Sequence, residues 1–490
     1  MATTNDFGSI RSSAGKIARL PDALVVPTVR RPREVTVNHD RETMPNLFAS
    51  AAATLLGDRY PQDSGAADVR ALLDALDYAI EPRRAGSGSA RHRGLLLRAA
   101  SRFARVFQLA APDAPGLVCF GAEFDPAIAD PMHAGSPLVG VSGVGLSLQE
   151  AFQGCIGEGI EYLSQLQTAS DVLFPADAAG LAAKPGPQAQ AFLAAFAAHR
   201  IRPDGALSWY RARRLSDGSE VVLPADLCVR RPPDRREVTP PFPLSSGSAA
   251  GLSWDAAALH GVLELIERDA ASLWWRGGQR AATIPAQHEA SVTAEAVLAQ
   301  LRRGASARRS WLLDITTDIE VPCVVSASCL PDGFGFALGL AARPTLQAAA
   351  RSAVLEMCQL ELALAVVDAK CRERGEAALN DRDRIHRRRA TMINAHECEL
   401  LQPGPARQRH LVGDTTDAGA ALRLIVERLE ESGIETFGLD LTRPRFEVPV
   451  ARVAVPSLQL EPSDIITPRL ADMIARTGGG KTYTRGVALI

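Results

Sequence analysis

The chain has 490 residues, of which 46% are hydrophobic and 22% are charged, so it can form one large globular domain or several smaller ones. The formal net charge of -2 excludes a global electrostatic attraction to nucleic acid or to an anionic membrane surface. The N-terminus lacks an apolar segment of signal-peptide length, and no run reaches the roughly 18 apolar residues of a membrane span. We therefore expect a cytoplasmic protein that binds neither nucleic acid nor membrane.

The eight cysteines are spread through the chain, and none is spaced as Cys-x-x-Cys. Several of them fall within apolar strand or helix patterns. This distribution predicts reduced, buried thiols, which suits a cytoplasmic protein, and it argues against a disulfide framework or a zinc site.

The first 95 residues are interpreted as an N-terminal extension or small accessory domain. A weak alternation of apolar residues indicates strand structure near its start, and two apolar clusters at helical spacing indicate short helices. A stretch rich in Gly, Ser and Arg reads as a linker. The predicted elements are, in order, an arm at 1–25, strands at 24–37, helices at 47–56 and 69–80, the linker at 83–93 and a further helix at 94–109.

A strand is predicted at 116–124, and a glycine-rich turn at 140–145 follows it. The turn leads into a helix for which Ser147 is a suitable N-cap. Glu158 and Glu161 lie three residues apart on that helix among apolar neighbours. Backbone N–H groups of such a turn can bind phosphate, although most turns of this kind are only tight turns.

The segment 251–275 contains an acidic pair in unusually apolar surroundings. Ser253 is a suitable N-cap, which predicts a helix that starts near Trp254. Glu264 and Glu267 leave one face of this helix a turn apart, and like charges at that spacing repel each other. Buried carboxylates need a cation or hydrogen-bond donors. Arg268 can neutralise one of them, and a metal ion can neutralise the pair.

A third long helix is predicted at 345–370, with Thr345 as its N-cap and with Glu356 and Gln359 three residues apart. The three helices therefore carry acids or amides at the same spacing. Carboxylates from distant segments suit Mg2+, which prefers oxygen ligands and shares them with phosphates. The candidate metal ligands are Glu158, Glu161, Glu264, Glu267 and Glu356.

Three other patterns are interpreted as structural. Glu427 and Glu430 have the same spacing, but they lie on an ordinary amphipathic helix at 420–432. The basic cluster at 387–389 indicates an exposed loop or helix face, with an anionic partner as the alternative. The segment 478–482 (GGGKT) resembles the end of a phosphate-binding loop, but Ala475 stands where that motif needs glycine.

The remaining segments predict several strands and loops that connect the three acidic helices. They are short strands at 208–227 around a turn at 216–218, strands at 311–315, 321–329, 334–340, 437–441 and 448–455, an alanine-rich helical segment at 178–205, a proline-rich loop at 230–243 and a strand fragment at 407–411.

Four segments together resemble the YcaO family of ATP-dependent enzymes that modify backbone amides of ribosomal peptides. They are GVSGVGLSLQEAFQGCIGEGIEYLS at 140–164, SSGSAAGLSWDAAALHGVLELIERDAASLWW at 245–275, GLAARPTLQAAARSAVLEMCQLE at 339–361 and VPVARVAVPSLQ at 448–459. The resemblance implies an α+β fold in which mixed β-sheets and packed acidic helices hold Mg2+–ATP without a phosphate loop. It divides the chain into the extension at 1–95, a YcaO-like catalytic domain at 96–465 and a tail at 466–490.

The resemblance also implies which residues hold the nucleotide. The five glutamates named above and Gln359 would bind Mg2+–ATP. Arg268 and Arg452 would contact phosphate, and Ser246 would lie near the nucleotide. The complete set is Glu158, Glu161, Ser246, Glu264, Glu267, Arg268, Glu356, Gln359 and Arg452.

The sequence departs from the family pattern at several positions. Val144 stands where members usually have Lys in the glycine-rich segment, and Gly154 and Tyr162 replace the Ser and Arg of the first acidic motif. Ala256 stands where a Glu is common before the second motif. The chain also ends without the proline-rich C-terminus that is typical of azoline-forming members.

The resemblance implies an ATP-dependent cyclodehydratase that converts Cys, Ser or Thr of a ribosomal precursor peptide into thiazoline or oxazoline. Two alternatives remain: an enzyme that forms a thioamide or an amidine, and a non-catalytic scaffold that binds precursor peptide or a partner enzyme. Because residues 1–95 are too short for an E1-like domain, we expect a separate partner that captures the leader peptide. A flavin dehydrogenase in the same complex and a homodimer are further expected partners.

Overall fold

The computed structural model describes residues 25–26, 43–57, 66–78, 88–177, 206–406, 417–463 and 465–490. The alanine-rich segment at 178–205, the strand fragment at 407–411 and most of the arm at 1–25 lie outside the described residues. The helices are α1 Thr43–Leu56, α2 Ala66–Ala75, α3 Gly88–Ala100, α4 Leu148–Gln165, α5 Ala225–Cys228, α6 Trp254–Trp275, α7 Glu289–Arg302, α8 Leu346–Arg374, α9 Asp381–Met392, α10 Ala418–Glu431, α11 Pro468–Thr477 and α12 Lys481–Thr484.

Within the described residues the strands form three sheets, and neighbouring strands in each sheet are antiparallel. The first has the order β1-β2-β3-β4, the second β11-β10-β9, and the third β5-β6-β12-β13-β8 with β7 paired to β6. The strands are β1 Val25–Val26, β2 Arg105–Leu109, β3 Val118–Phe124, β4 Val139–Gly145, β5 Phe174–Asp177, β6 Ala206–Arg214, β7 Glu220–Pro224, β8 Ser248–Ala250, β9 Arg309–Asp314, β10 Cys323–Cys329, β11 Ala337–Ala342, β12 Phe437–Asp440 and β13 Val450–Ala454.

The N-terminal helices share one hydrophobic core with α4 and the first sheet. Phe48 of α1 packs against Phe152 of α4 with ring centres 5.7 Å apart, and Leu73 and Leu96 belong to the same core. A second core surrounds α6, β10 and α10, and a third lies between α7 and α8. The cores thus place α4, α6 and α8 between sheets. The boundary predicted at residue 95 stays a prediction.

The predicted helix caps are confirmed. Ser147, Ser253 and Thr345 each accept a hydrogen bond from the backbone N–H three residues later, which satisfies one of the free donors of the helix end. Helix α6 starts at Trp254, as predicted. The fold class is α+β, and no helix in the described part of the chain is both long and apolar enough to cross a membrane.

Two local predictions are wrong. The helix predicted at 94–109 ends at Ala100, and β2 takes up its second half; α3 also begins inside the predicted linker, at Gly88. The glycine-rich segment at 140–145 belongs to strand β4 and forms no turn. Pairing with β3 decides its conformation, because tertiary contacts override the turn preference of glycine.

The basic cluster at 387–389 was expected to be exposed, and this is wrong for one of its members. Arg389 is 2% exposed on α9, and its guanidinium donates a hydrogen bond to the carbonyl of Leu489 in the C-terminal tail. Burial lowers the pKa of Arg389 to about 10. The side chain therefore anchors the tail, as does Trp275, whose indole N–H donates to the carbonyl of Val487 at 2.7 Å.

Candidate active site

The three acidic helices belong to three copies of one structural unit, in which a strand leads through a hydroxyl cap into a helix. The strands β4, β8 and β11 precede α4, α6 and α8, and each lies at the edge of its sheet in the described part of the chain. In every unit the first functional residue lies 11 positions after the cap, and the second lies 14 positions after it. The pairs are Glu158 and Glu161 after Ser147, Glu264 and Glu267 after Ser253, and Glu356 and Gln359 after Thr345.

The first carboxylate of each unit accepts a hydrogen bond from the backbone N–H of the strand or turn that precedes its helix. This bond occupies one carboxylate oxygen and fixes the rotamer, so the other oxygen can face a cation. The pairs are Ser142 with Glu158 at 3.2 Å, Gly247 with Glu264 at 3.1 Å and Leu340 with Glu356 at 3.2 Å.

Small residues in these strands bring strand and helix together. A methyl group on Gly143 would lie 2.1 Å from the backbone nitrogen of Cys155, and one on Gly339 would lie 2.1 Å from the carbonyl oxygen of Ala353. Gly247 has a φ of 85°, which a larger side chain would strain. The glycines are therefore explained by close backbone approach, which is what the hydrogen bonds to the glutamates require.

Side chains also connect the units to one another. The amide of Gln359 on α8 donates to the hydroxyl of Ser142 on β4 at 2.9 Å. Glu267 on α6 accepts from the backbone N–H of Ala342, the last residue of β11, at 3.2 Å. The third unit is thus linked to both of the others. The sequence predicted the six acidic or amide residues, but it missed these second partners, which come from distant segments.

Arg268 lies among the acids of the second and third units. Its guanidinium is 3.6 Å from Glu264 and 3.5 Å from Glu267, and the charge of Glu356 also acts on it. Burial works to lower the pKa of Arg268, but the three carboxylates outweigh burial and raise it. The charge of Arg343 also acts on Glu267 and Glu356, so these buried acids interact with two arginines.

Burial is the main influence on the pKa of the acids themselves. Burial raises the pKa of Glu267 to about 8, against the opposing effect of Arg268, and burial raises the pKa of Glu161 and Glu356 as well. Glu158 reaches solvent, yet the surrounding protein desolvates it enough to raise its pKa to about 7. The negative charge of Glu264 adds to the rise in the pKa of the other four acids, because like charges repel each other. These acids are Glu158, Glu161, Glu267 and Glu356.

The donor set fits divalent cations that share their ligands with phosphate and water. Among the described residues no three His, Cys, Asp or Glu side chains converge closely enough to form a metal site by themselves. Mg2+ commonly takes one or two carboxylates and completes its octahedron with other oxygens. The glutamates are oxygen ligands, mutually repelling and incompletely neutralised, so the residues present fit Mg2+ in the company of a phosphate-bearing ligand.

Ser246 and Arg452 lie beside this cluster and are both buried. Arg452 donates hydrogen bonds to the carbonyl oxygens of Leu227 at 3.1 Å, Leu244 at 2.9 Å and Ser246. Burial lowers its pKa, while Glu264 and Glu161 favour its charged form. The hydrogen-bond donors of Arg452 therefore bind backbone carbonyls and hold the turn before β8, next to the acids.

Arg452 also lines an apolar, partly enclosed pocket with a cavity volume of about 60 Å³. Its walls are formed mostly by aliphatic side chains and include Phe242, Leu265 and Val453. Leu265 follows Glu264 directly on α6. The site therefore offers an apolar surface next to a charged centre, which suits a ligand with both kinds of group.

The family model described as YcaO cyclodehydratase, ATP- and Mg2+-binding, matches residues 142–459. A heterocyclase in complex with substrate and cofactor matches with a TM-score of 0.61 and 22% identity over 80% of this chain and 54% of that one. The YcaO protein from Methanopyrus kandleri bound with AMPPCP and Mg2+ matches with a TM-score of 0.53 and 17% identity over 76% of this chain and 92% of that one. The E. coli microcin synthetase McbBCD complex with pro-MccB17 bound matches with a TM-score of 0.51 and 16% identity over 70% of this chain and 85% of that one.

At these identities the structural matches establish a shared fold. The chain spans about half the length of the first heterocyclase and of the heterocyclase TruD. No curated protein sequence matches the chain significantly. The family match covers more than half of the chain and includes the acids of all three units. The chain therefore belongs to the YcaO family, whose cofactors are ATP and Mg2+.

Proposed function

We propose that the chain is a cytoplasmic, ATP-dependent cyclodehydratase that converts Cys, Ser or Thr of a ribosomal precursor peptide into thiazoline or oxazoline. The observation that carries the proposal is the set of three strand–cap–helix units, each of which holds one glutamate by a backbone N–H. Three such glutamates, their partners at the second position and Arg268 between them form a site that is rich in carboxylates. Such a site requires cations in order to be occupied by anions.

In this proposal Glu158, Glu161, Glu264, Glu267 and Glu356 bind Mg2+. Gln359 has a side-chain amide that can contact a bound ligand or a Mg2+-bound water, and its bond to Ser142 keeps it in place. Bound Mg2+–ATP supplies the phosphoryl group that makes an amide oxygen a good leaving group. We assign no general base, because the proposed site residues are those that hold the nucleotide.

Arg268 has two functions in the proposal. Its charge favours the ionised form of Glu267 and Glu356, since it opposes the rise in their pKa that burial causes. It also presents a cation on the same side as the carboxylates, where it can contact a phosphate group. Arg452 and Ser246 support this arrangement from behind, through the turn that positions the N–H of Gly247 against Glu264.

The proposed partners are a precursor peptide and a separate protein that captures its leader, with a flavin dehydrogenase and a second copy of the chain as further candidates. The McbBCD complex, a structural neighbour, is a multiprotein synthetase with pro-MccB17 bound. An assembly of this kind supports the expectation of a partner protein for this chain.

The proposal is tested by phosphate release from ATP in the presence of the precursor peptide and any partner protein. Glu264→Ala removes a carboxylate and is expected to abolish release, whereas Glu427→Ala on α10 removes a carboxylate at equivalent spacing outside the site. Activity that survives Glu264→Ala would contradict the site assignment. Mass spectrometry of the peptide distinguishes the chemistries: loss of one water per azoline supports the proposal, oxygen-to-sulfur exchange favours thioamide formation, and an unchanged peptide favours a scaffold.

A further inference from the structure

The first and second units differ in the residue that follows the second acid. In the second unit this residue is Arg268, whose guanidinium is 3.5 Å from Glu267. In the first unit Tyr162 occupies the corresponding position after Glu161. Tyrosine carries no positive charge, yet Glu161 lies in the same acidic site and is strongly desolvated. The first unit therefore needs a cation from another part of the chain.

The guanidinium of Arg230 lies beside Tyr162 and provides such a cation. The central carbon of its guanidinium is 4.8 Å from the ring centre of Tyr162, within the range of a cation–π contact. Its Nε donates to Oε1 of Gln165 at 3.1 Å, and Nε2 of Gln165 donates to Oε1 of Glu161 at 3.1 Å. The amide of Gln165 thus connects the arginine to the carboxylate. Gln165 is 1% exposed, so solvent competes little for either bond.

The backbone holds Arg230 at the end of α4. Its N–H donates to the carbonyl of Gln165 at 2.6 Å, and its carbonyl accepts from the N–H of Gln167 at 3.1 Å. These bonds form a parallel bridge between Leu166 and Arg230. The side chain therefore starts from a fixed point beside the end of α4.

We propose that Arg230, held against Tyr162 and linked to Glu161 through Gln165, is a positioning residue that supplies the positive charge of the first acidic unit. It replaces in space the charge that Arg268 supplies from the adjacent sequence position in the second unit. Its effect on a bound ligand passes through Glu161. In agreement with this assignment, the charge of Arg230, and to a lesser degree that of Arg452, opposes the rise in the pKa of Glu161 that burial and the neighbouring glutamates cause.

This inference rests on the proposed function, because it concerns the affinity of the same site for Mg2+ and nucleotide. The probe is AMPPCP with Mg2+, and binding to the full chain is measured by calorimetry. Arg230→Gln keeps a polar side chain but removes the charge, and we expect it to weaken binding about 10- to 100-fold, as is typical when the partner of a metal ligand is changed. Arg211 provides the matched control, since it lies over the ring of Phe174 at 5.5 Å and pairs with Glu220 outside the site.

Rescue separates a charge effect from a folding effect. The double variant Tyr162→Arg with Arg230→Gln places the charge directly after Glu161, as in the second unit, and is expected to recover most of the affinity. Arg211→Gln is expected to bind like the wild type. Binding by Arg230→Gln within twofold of the wild type would overturn the inference and leave the proposed function intact, and a folded double variant that stays weak would do the same. A wild-type protein that binds no Mg2+–AMPPCP would overturn both.

Discussion

Helices α6 and α10 pack against each other, and each carries two glutamates three residues apart. Glu264 and Glu267 of α6 face an acidic site, each accepts a backbone N–H, and both lie within 4 Å of Arg268. Glu427 and Glu430 of α10 are exposed to solvent. The i, i+3 spacing alone therefore does not define a site. What distinguishes α6 is the set of backbone donors to its acids: the turn before it supplies the N–H of Gly247 to Glu264, and strand β11 supplies the N–H of Ala342 to Glu267.

The largest difference between the two helices is expected in ATP turnover, when the second acid of each helix is made neutral in turn. Glu267→Gln keeps the size of the side chain but removes a charge that we assign to Mg2+ binding. We expect ATP turnover to fall by at least about 100-fold, more than is usual for residues that only support a ligand. Glu430→Gln should leave turnover unchanged. Phosphate release with precursor peptide measures both, and equal activities of the two variants would refute the distinction between α6 and α10.

The next effect concerns the close approach of strand and helix in the acidic units. Gly143→Ala places a methyl group 2.1 Å from the backbone nitrogen of Cys155, so β4 and α4 must separate. Overpacking of this kind typically costs about 1–3 kcal/mol of unfolding free energy. Gly140→Ala, in the same strand, meets nothing within 4 Å and is the control. Denaturant unfolding measures both variants, and an unperturbed Gly143→Ala protein would show that the contact is dispensable.

Much of each unit was predictable from local sequence. Ser147, Ser253 and Thr345 cap their helices as expected, because a hydroxyl at the N-cap satisfies a donor of its own helix. The acids at the following positions were also predicted, although their common distances from the caps were not used. That common spacing is a signal in the sequence, and it would have indicated three copies of one unit.

The errors arise where contacts with distant segments decide the conformation or the burial of a residue. The segment at 140–145 is a strand because β3 pairs with it, and Arg389 is buried because the C-terminal tail packs over α9. Arg230 was read as part of a proline-rich loop, and its contact with Tyr162 joins segments 68 residues apart in the sequence (230 minus 162). No local pattern encodes such contacts. They depend on how the three units pack together.

The charge difference between the helices also predicts a pH dependence. Burial raises the pKa of Glu267 from its ordinary value of 4.5 to about 8, so between these values the folded chain binds more protons than the unfolded chain. Stability contributed by the protonated acid is then lost as the pH rises from about 5 to 8. We expect the Tm of the ligand-free protein to fall by a few degrees over this range. Glu267→Gln should reduce the dependence, because burial also raises the pKa of Glu158, Glu161 and Glu356, whereas Glu430→Gln should retain it in full.

Addition of Mg2+–AMPPCP should oppose this loss, since cations bind the ionised acids and stabilise the folded state. The increase in Tm on addition is therefore expected to be greater at pH 8 than at pH 6. A ligand-induced shift that is larger at pH 6, or a slope unchanged by Glu267→Gln, would show that these acids do not titrate as the buried arrangement requires.

The smallest effect is expected at the other segment that resembles a nucleotide motif. Lys481 of the GGGKT segment is exposed and begins the four-residue helix α12. The glycine before it has a structural explanation, because a methyl group on Gly480 would lie 1.7 Å from the carbonyl oxygen of Trp275, and its N–H donates to the carbonyl of Arg276 at 2.8 Å. The segment thus packs against the end of α6, and Lys481 contacts no part of the acidic site among the described hydrogen bonds and ion pairs. Lys481→Ala should change stability by less than about 0.5 kcal/mol and leave the affinity for Mg2+–AMPPCP unchanged, whereas a clear loss of affinity would place nucleotide at the tail instead of at α6.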